Sequence, residues 1–402
     1  MVGAGRIGVA LLVLVLGAGA GQGTATADDP APAPLDTWTG TWEAAPSGTA
    51  PAQPGASLRN VVHLSVGGSA VRVRLTNRLG TAPLDLDTVT VALRQTGPDA
   101  LPGSMRTATF KGAGTVTVPA GEDLVTDPIQ LAVPASADLL VTVHTPADSG
   151  PATYHRAAGQ TNYRAPSGNW AADSDGSAYT TTTTSWYYVT GVDVLDAPAA
   201  GSVVAFGDSL TDGNGSTRDA NHRWPDRLAD RLAALPSSRR LGVLNAGVSG
   251  NRLLREDVGP SALTRFDADA LSRSGVRVVI VLEGINDIKG TPNATDPEAF
   301  EDAYRTLVTR AHALGIRVIG ATLTPYGGNG AYTAAREAVR QEVNAFIRAG
   351  GPFDAVVDFD TAVRDPEEPQ RIRPAYDSGD HLHFNDAGMR ALADTVDLAE
   401  LG

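Results

Sequence analysis

A serine at the end of an apolar run is the first residue of this sequence whose setting suggests chemistry. The run Val203-Val204-Ala205-Phe206 ends in Gly207-Asp208-Ser209, and a polar, glycine-bearing segment follows. This pattern is typical of a buried strand that delivers a side chain to the rim of a sheet. A serine hydroxyl is a poor nucleophile unless a base, an orienting acid and oxyanion donors surround it. We therefore look for these partners elsewhere in the chain.

A candidate base and acid lie near the C-terminus, within residues 376–385. Asp380 and His383 are three residues apart on a segment that we expect to be a loop entering the last helix. A carboxylate at that spacing can bind the Nδ1–H of the imidazole while Nε2 faces a serine hydroxyl. His381 has the wrong spacing from Asp377 and from Asp380 for this arrangement, so we favour His383 as the base. A lone Asp–His pair is also typical of a helix cap or a surface pair.

Two further segments follow predicted strands and hold candidate oxyanion donors. The first includes Gly250, whose backbone N–H could point at a developing oxyanion because glycine permits close approach. The second includes Asn286, whose side-chain amide can donate to the same oxygen. A glycine turn or a loop asparagine alone is more often a local feature. The prediction depends on the combination, since four segments supply Ser, Gly, Asn and Asp-x-x-His in that order.

The elements that must position these residues alternate between strand and helix after residue 200. Apolar runs predict strands at 202–206, 241–245, 276–282, 316–323 and 355–359. Helices are expected near 224–235, 260–274, 297–314, 331–349 and 386–398. This alternation indicates a parallel sheet with helices on both faces. Ligands bind such sheets at the carboxyl ends of the strands, where the polar segments lie.

The preceding part of the chain, from Trp38 to about Leu195, has the pattern of β-structure. Alternating runs at 60–66 and 70–75 flank Gly67-Gly68 and predict a hairpin. Further short strands are expected at 88–93, 107–110, 115–118 and 139–144. Proline and glycine interrupt these runs at intervals typical of a sandwich. We therefore predict a jelly-roll-like β-sandwich.

Composition restricts the classes of partner. The chain has 402 residues and a net charge of −13, which argues against nucleic acids and anionic membrane surfaces as partners. The absence of cysteine excludes disulfides, thiolate chemistry and a lipoprotein anchor. No Gly-x-Ser-x-Gly, Ser-x-x-Lys or His-Glu-x-x-His motif occurs, so other serine mechanisms and a zinc site have no candidate residues.

The N-terminus has the pattern of a secretory signal. Arg6 precedes an apolar run over residues 7–16, and Ala25-Thr26-Ala27 fits a cleavage site. The run is too short to span a bilayer comfortably. We expect a signal peptide over 1–27, a linker over 28–35, a β-sandwich accessory domain over 36–196 and a catalytic domain over 201–402. The mature protein is expected to be secreted, without stable membrane insertion.

Four blocks together resemble the SGNH (GDSL-type) hydrolase superfamily: Gly207-Asp208-Ser209-Leu210, the Gly250 segment, Gly284-Ile285-Asn286-Asp287 and Asp380-His381-Leu382-His383. They cover essentially the whole second half of the chain. The resemblance implies a flavodoxin-like α/β/α sandwich and ester hydrolysis without a cofactor. The first half is similar to the β-sandwich that precedes this domain in many secreted actinobacterial members.

The resemblance also implies roles for individual residues. Ser209 would be the nucleophile, His383 the base and Asp380 its partner. The backbone N–H groups of Ser209 and Gly250 and the amide of Asn286 would form the oxyanion hole.

Other residues near these blocks are expected to line the cleft: Asp212, Asn214, Asn251, Arg252 and Tyr326. We predict that Asp208, Asn251 and Arg252 bind substrate, although Arg252 can equally brace an acidic side chain. Three histidines of the β-rich half are expected to be structural: His63, His144 and His155.

The substrate remains open at this point. One interpretation is a carbohydrate esterase that removes acetyl or other short acyl groups from a glycan, which the accessory sandwich and the export signal favour. The other is a lipase or lysophospholipase acting on lipid esters. A third alternative, from a different class, is a glycan-binding protein with an inactive hydrolase domain.

Overall fold

Strands occupy much of residues 38–195, as the alternating pattern predicts. The computed structural model describes Met1 and residues 37–402, so the predicted signal peptide and linker lie outside the described residues. The strands of this strand-rich region (residues 38–195) are β1 (Trp38–Glu43), β2 (Gly48–Ala50), β3 (Ala56–His63), β4 (Ala70–Thr76), β5 (Leu84–Leu86), β6 (Thr88–Thr96), β7 (Asp99–Ala100), β8 (Arg106–Thr107), β9 (Val116–Val118), β10 (Asp123–Val125), β11 (Asp138–Thr145), β12 (Ala152–His155), β13 (Asn162–Ala165), β14 (Thr181–Thr183), β15 (Trp186–Tyr187) and β16 (Val189–Leu195).

Two antiparallel sheets of the strand-rich region share one hydrophobic core. The first has the order β1-β16-β4-β10, and the second has the order β14-β13-β3-β11-β6-β7, with β8 also paired to β6. Val71 and Val73 of the first sheet are buried in the same cluster as Val141 and Val143 of the second. Alternate residues of each strand therefore face a common interior, as period-two patterning requires.

The hairpin predicted at Gly67-Gly68 is wrong, because β3 and β4 lie in different sheets. Two-residue hairpin turns need a positive φ at one or both turn residues, and neither glycine has one. Gly68 instead exchanges both backbone hydrogen bonds with Val133, each at 3.0 Å. Alternation identified two strands but contained no information about which strand each one pairs with.

The rest of the chain, the α/β region (residues 202–402), alternates strand and helix. Its strands are β17 (Ser202–Gly207), β18 (Gly242–Gly247), β19 (Val276–Leu282), β20 (Arg317–Ala321) and β21 (Ala355–Val357). Its α-helices are α1 (Ser209–Asp212), α2 (Trp224–Ala233), α3 (Ala262–Phe266), α4 (Ile285–Lys289), α5 (Pro297–His312), α6 (Ala334–Arg348), α7 (Phe359–Val363) and α8 (Asp386–Thr395). A 3₁₀ turn occupies Ser237–Arg239, and α3 continues as a π-helix over Asp267–Leu271.

The five strands of the α/β region form one parallel sheet in the order β18-β17-β19-β20-β21. This is the flavodoxin-like order 2-1-3-4-5, which confirms the predicted fold class. Val203 and Ala205 of β17 pack into one hydrophobic cluster, and Val204 and Phe206 pack into the other. Because helices cover both faces, these strands are continuously apolar rather than alternating.

Three short helices were not predicted: α1, α4 and α7. Each has four or five residues and begins within three residues of the end of a strand. A single helical turn is too short to show a 3.6-residue period, so only the structure reveals it. Two of these helices contain Ser209 and Asn286, which the sequence placed on loops.

The strand-rich and α/β regions pack closely and belong to one compact unit. Gly40 of β1 donates its N–H to Ser274 O at 2.9 Å, and Val243 donates its N–H to Ser65 Oγ at 2.9 Å. Gly242 is required by this approach, since a Cβ there would lie 2.0 Å from Gly40 O. Within the described part of the chain, no helix is long and apolar enough to cross a membrane.

Candidate active site

Ser209 is the first residue of α1 and lies just beyond the carboxyl end of β17. In the sheet, β17 lies between β18 and β19. Asp208 caps this helix, because its Oδ1 accepts the Leu210 N–H at 2.9 Å. Glycine is needed at 207, where a Cβ would lie 2.4 Å from Leu282 O. A central strand and a capped turn hold Ser209 in place. The residue is nearly enclosed, since it is 5% exposed.

His383 and Asp380 approach Ser209 from the loop that precedes α8. The distance from Ser209 Oγ to His383 Nε2 is 2.9 Å, and that from His383 Nδ1 to Asp380 Oδ2 is 2.5 Å. A carboxylate only accepts hydrogen bonds, so Nδ1 carries the imidazole proton and Nε2 accepts from the serine hydroxyl. The structure thus brings together three residues that the sequence separates by up to 174 positions.

Asp380 is anchored by more than the imidazole. Its Oδ1 accepts the backbone N–H of His383 at 2.8 Å and that of Leu382 at 3.0 Å. Partial burial opposes ionisation, but the hydrogen bonds from the backbone and ring of His383 prevail and lower the pKa of Asp380 to about 2. The carboxylate is therefore charged at neutral pH and has one oxygen fixed on the backbone.

His381 forms a second His–Asp pair in the same loop. Its Nδ1 lies 2.6 Å from Asp377 Oδ2, so a spacing of four residues also permits a His–Asp pair. The ring lies against Gly328, where a Cβ would be 3.2 Å from it. Among the described residues, Ser209 Oγ hydrogen-bonds only to His383. Proximity to the serine distinguishes the two histidines, and their spacing from an aspartate does not.

Gly250 lies in a tight turn over residues 248–251. The Asn251 N–H donates to Val248 O at 2.9 Å, and Gly250 has a φ of +87°, as the third residue of a type II turn requires. Within residues 37–402, neither the Gly250 N–H nor the Ser209 N–H has a hydrogen-bond acceptor. Both donors are therefore available to an incoming oxygen.

Asn286 lies in α4, and its amide joins the segments of Ser209 and Gly250. Its Nδ2 donates to Asp208 Oδ2 at 3.0 Å and to Asn251 O at 2.8 Å. These acceptors belong to the residues next to Ser209 and Gly250 in the sequence. An oxyanion bound here would compete with one of them for an amide hydrogen.

Two buried carboxyl groups lie beneath this site. Burial raises the pKa of Asp208 to about 7 and also raises the pKa of Glu283. Both oxygens of Asp208 accept hydrogen bonds, whereas Glu283 Oε2 has no hydrogen-bond partner within the described chain. The charge of Arg265, 3.7 Å from Glu283 Oε2, and the Gly284 N–H, which donates to Oε1 at 3.1 Å, oppose this rise in the pKa of Glu283 but do not cancel the effect of burial.

The predicted substrate-binding side chains are buried among protein partners. Asp208 and Asn251 are 0% exposed and Arg252 is 5% exposed. The Asn251 amide donates to two backbone carbonyls, and Arg252 pairs with Asp257 at 3.0 Å. These protein partners occupy the polar atoms of Asn251 and Arg252, so a substrate would have to compete for them, and their role in substrate binding stays a prediction.

The surface beside α1 is a polar cleft between the two regions. It is lined by residues 212–216 and Arg218 on one side and by Arg156 and Thr184 of the strand-rich region on the other. Of the residues expected to line the cleft, Asp212 and Asn214 lie in its wall, whereas the side chain of Tyr326 is buried.

Arg265 was not recognised from the sequence, although it connects three parts of the site. It donates from Nη2 to Gly207 O, from Nη1 to Ala246 O and from Nε to Asn251 Oδ1, each at 2.8 Å. It therefore fixes the ends of β17 and β18 against the Gly250 turn. In the sequence, Arg265 is only an arginine within a predicted helix, and no local pattern indicates which groups it binds.

Comparison with protein-family models matched residues 205–391 to the GDSL-like lipase/acylhydrolase family. Comparison with curated protein sequences gave no match.

Comparison with solved structures also found similar proteins. A GDSL-like lipase from Bacteroides thetaiotaomicron is 20% identical, with 49% of this chain and 86% of that chain covered and a TM-score of 0.38. The aryl esterase of M. smegmatis is 20% identical, with 48% and 94% covered and a TM-score of 0.39. A carbohydrate acetylesterase from Sinorhizobium meliloti is 19% identical, with 48% and 94% covered and a TM-score of 0.38.

Proposed function

We propose that this chain is a carboxylic ester hydrolase that carries out a two-step acyl transfer at Ser209, because residues 205–391 match the GDSL-like lipase/acylhydrolase family. The observation that supports this most directly is the hydrogen-bonded series from Ser209 through His383 to Asp380, with distances of 2.9 and 2.5 Å. A serine becomes nucleophilic when an oriented base accepts its proton.

In the first step, Ser209 Oγ attacks the ester carbonyl and His383 Nε2 takes the hydroxyl proton. The resulting oxyanion accepts hydrogen bonds from the N–H groups of Ser209 and Gly250 and from the amide of Asn286. The carbon–oxygen bond to the alcohol breaks, and His383 gives its proton to the leaving oxygen. Water then attacks the acyl-enzyme and His383 accepts a proton from it. The bond between the acyl carbon and Ser209 Oγ breaks, His383 returns its proton to Oγ, and the acid is released.

The buried residues beneath the site have a positioning role in this proposal. Asp208 and Asn251 each accept a hydrogen bond from the Asn286 amide, so they hold it between the nucleophile and the turn. Arg265 also fixes Asn251, because its Nε donates to Asn251 Oδ1 at 2.8 Å. Preorganised donors of this kind stabilise charge in the transition state without reorganising during the reaction.

We propose that the substrate carries a short acyl group, such as acetyl, on a glycan or a related polar alcohol. The segment after Ser209 is polar, Thr211-Asp212-Gly213-Asn214-Gly215-Ser216, and the cleft beside it also presents Arg156 and Arg218. Polar walls suit a hydroxyl-rich alcohol better than an acyl chain of a lipid. The alternative is a lipid ester, which would need an apolar groove near the same serine.

The roles of Ser209 and His383 are tested by Ser209→Ala and His383→Ala in the purified protein. We expect both variants to lose p-nitrophenyl acetate hydrolysis to the detection limit, with unchanged circular dichroism. His381→Ala is the matched control, because it removes a histidine of the same loop that does not contact Ser209. Normal activity in Ser209→Ala would overturn the proposed nucleophile.

The substrate class is decided by rates on esters of increasing acyl length, measured beside acetylated xylan, acetylated pectin and lysophosphatidylcholine. Highest activity on short acyl groups and on a glycan supports the proposal, whereas highest activity on long chains supports the lipid alternative. Binding to insoluble polysaccharide without turnover would support the third alternative, an inactive domain.

We also propose that the protein is exported, from the pattern of Arg6, the apolar run over residues 7–16 and the small residues Ala25-Thr26-Ala27. N-terminal sequencing of protein recovered from culture medium should begin at Asp28. Recovery of the intact chain from the cell alone would contradict export.

A further inference from the structure

A histidine of the strand-rich region contacts the helix that begins at Ser209. His155, the last residue of β12, is 3% exposed. Its Nε2 lies 3.0 Å from Asp212 Oδ1, and its Nδ1 lies 2.7 Å from Ala45 O. Carboxylate and carbonyl oxygens only accept hydrogen bonds, so both ring nitrogens must donate. With Asp212 ionised, this geometry requires an imidazolium, buried between the two regions.

Asp212 connects this histidine to the Gly250 turn. It is the last residue of α1, whose first residue is Ser209. Its Oδ2 accepts the Ser249 N–H at 3.0 Å and the Ser249 hydroxyl at 2.5 Å. Ser249 immediately precedes Gly250, whose N–H is a donor in the proposed oxyanion hole. One buried carboxylate thus joins the nucleophile's helix, the turn and His155.

We propose that His155 is a positioning residue of the active site, which as an imidazolium fixes Asp212 and thereby aims the Gly250 N–H at the oxyanion. This inference rests on the proposed acyl-transfer mechanism and adds a contribution from outside the family domain. The strand-rich region then forms part of the catalytic unit. This differs from the sequence-based expectation that His155 is only structural.

The charges around the ring support a charged pair. Burial disfavours the imidazolium, but the charge and hydrogen bond of Asp212 outweigh it and raise the pKa of His155. Burial likewise opposes ionisation of Asp212, but His155 and then Ser249 lower the pKa of Asp212. The charge of Arg223 opposes protonation of the ring without reversing this rise in the pKa of His155. The ring also packs against Trp186, at 5.4 Å between centroids.

The raised pKa gives the sign of the pH effect. Stabilisation by the pair is fully present below the ordinary histidine value of about 6.5 and is lost as pH rises through the higher folded pKa of His155. Loss of that proton leaves Asp212 as a buried charge without its partner, which is costly. We therefore expect the catalytic rate to decline on the alkaline side, because Asp212, which anchors the Ser249–Gly250 backbone, loses the charged partner that fixes it.

The experiment compares His155→Gln with His144→Gln in the purified protein. His144, of β11, is the matched control: it is also buried and pairs with Asp87 at 2.7 Å, within the strand-rich region. Deleting an oxyanion donor costs about 10²–10³ in rate, so misaiming one should cost about tenfold in kcat. We expect this loss in His155→Gln with little change in KM, together with loss of the decline in kcat on the alkaline side of the ordinary histidine pKa. His144→Gln should match the wild type in kcat, in KM and in the pH profile.

A second variant and a spectroscopic measurement complete the test. Asp212→Asn keeps an acceptor for Ser249 but removes the charge, so it should show the same kcat loss and flat alkaline profile even if His155→Gln does not fold. Nuclear magnetic resonance of ¹⁵N-histidine-labelled protein at pH 7 should show two ring N–H protons for His155.

The outcomes separate the two proposals. Wild-type kcat and pH profile in both His155→Gln and Asp212→Asn would overturn the positioning role and leave the acyl-transfer mechanism intact. A single ring N–H for His155 would also overturn it, whatever the activity. A wild type no more active than Ser209→Ala would instead refute the proposed mechanism, and the positioning role with it.

Discussion

Replacing Asp380 by asparagine would reverse the proton arrangement of His383. Asp380 Oδ1 accepts backbone N–H groups of His383 and Leu382 at 2.8 and 3.0 Å, and Oδ2 faces Nδ1 at 2.5 Å. In Asp380→Asn the amide oxygen has to occupy the Oδ1 position, because two backbone donors point at it. The amide NH₂ then faces Nδ1, and only an unprotonated nitrogen can accept from it.

The imidazole proton of this variant therefore moves to Nε2, 2.9 Å from Ser209 Oγ. An Nε2–H cannot accept the serine proton, and a wrong tautomer of this kind lowers kcat by about 10⁴ in a serine protease triad. That loss corresponds to about 5.4 kcal/mol of transition-state stabilisation. The Asp380 side chain is 50% exposed, so water can replace it in Asp380→Ala and leave both tautomers accessible. We expect Asp380→Ala to be several-fold more active than Asp380→Asn.

The assay is kcat for p-nitrophenyl acetate between pH 5 and 8. The pKa of Asp380 is lowered to about 2, so its carboxylate protonates only as the pH falls through that lowered pKa. In the wild type it is therefore charged throughout the assay range. Asp377→Asn is the matched control, because it alters the neighbouring His381 pair at 2.6 Å and should retain most activity. If Asp380→Asn kept activity within tenfold of the wild type, or exceeded Asp380→Ala, the tautomer argument would be refuted.

Two further predictions concern the oxyanion site and the packing between the regions. Asn286→Ala should lower kcat by about 10²–10³ yet stay measurably more active than Ser209→Ala; an unchanged kcat would exclude the amide as an oxyanion donor. Asp269 is 1% exposed and pairs with Arg78 of the strand-rich region at 2.5 Å and with two arginines of its own region. Breaking such a buried network by Asp269→Asn should lower the free energy of unfolding in urea by about 3–5 kcal/mol, whereas the exposed Asp267→Asn should have little effect.

The sequence by itself determined the order of elements in the α/β region and the identity of its chemical groups. Strands buried on both faces are continuously apolar, so β17, β18 and β19 were recognisable without knowing their neighbours. The blocks around Ser209, Gly250, Asn286 and His383 follow these elements directly. Local order was therefore predictable, because each signal lies within a few consecutive residues.

Tertiary structure alone decided how deeply the polar side chains around Ser209 are buried and which protein groups they bind. Asp208, Asn251 and Arg252 occupy the same segments as the reactive groups, yet their partners bury them. His155 lies 57 positions from the aspartate it contacts, in a strand that no local pattern connects to the active site. Burial and pairing of a polar group depend on residues that the fold brings near, and a period of two or 3.6 contains no information about those residues.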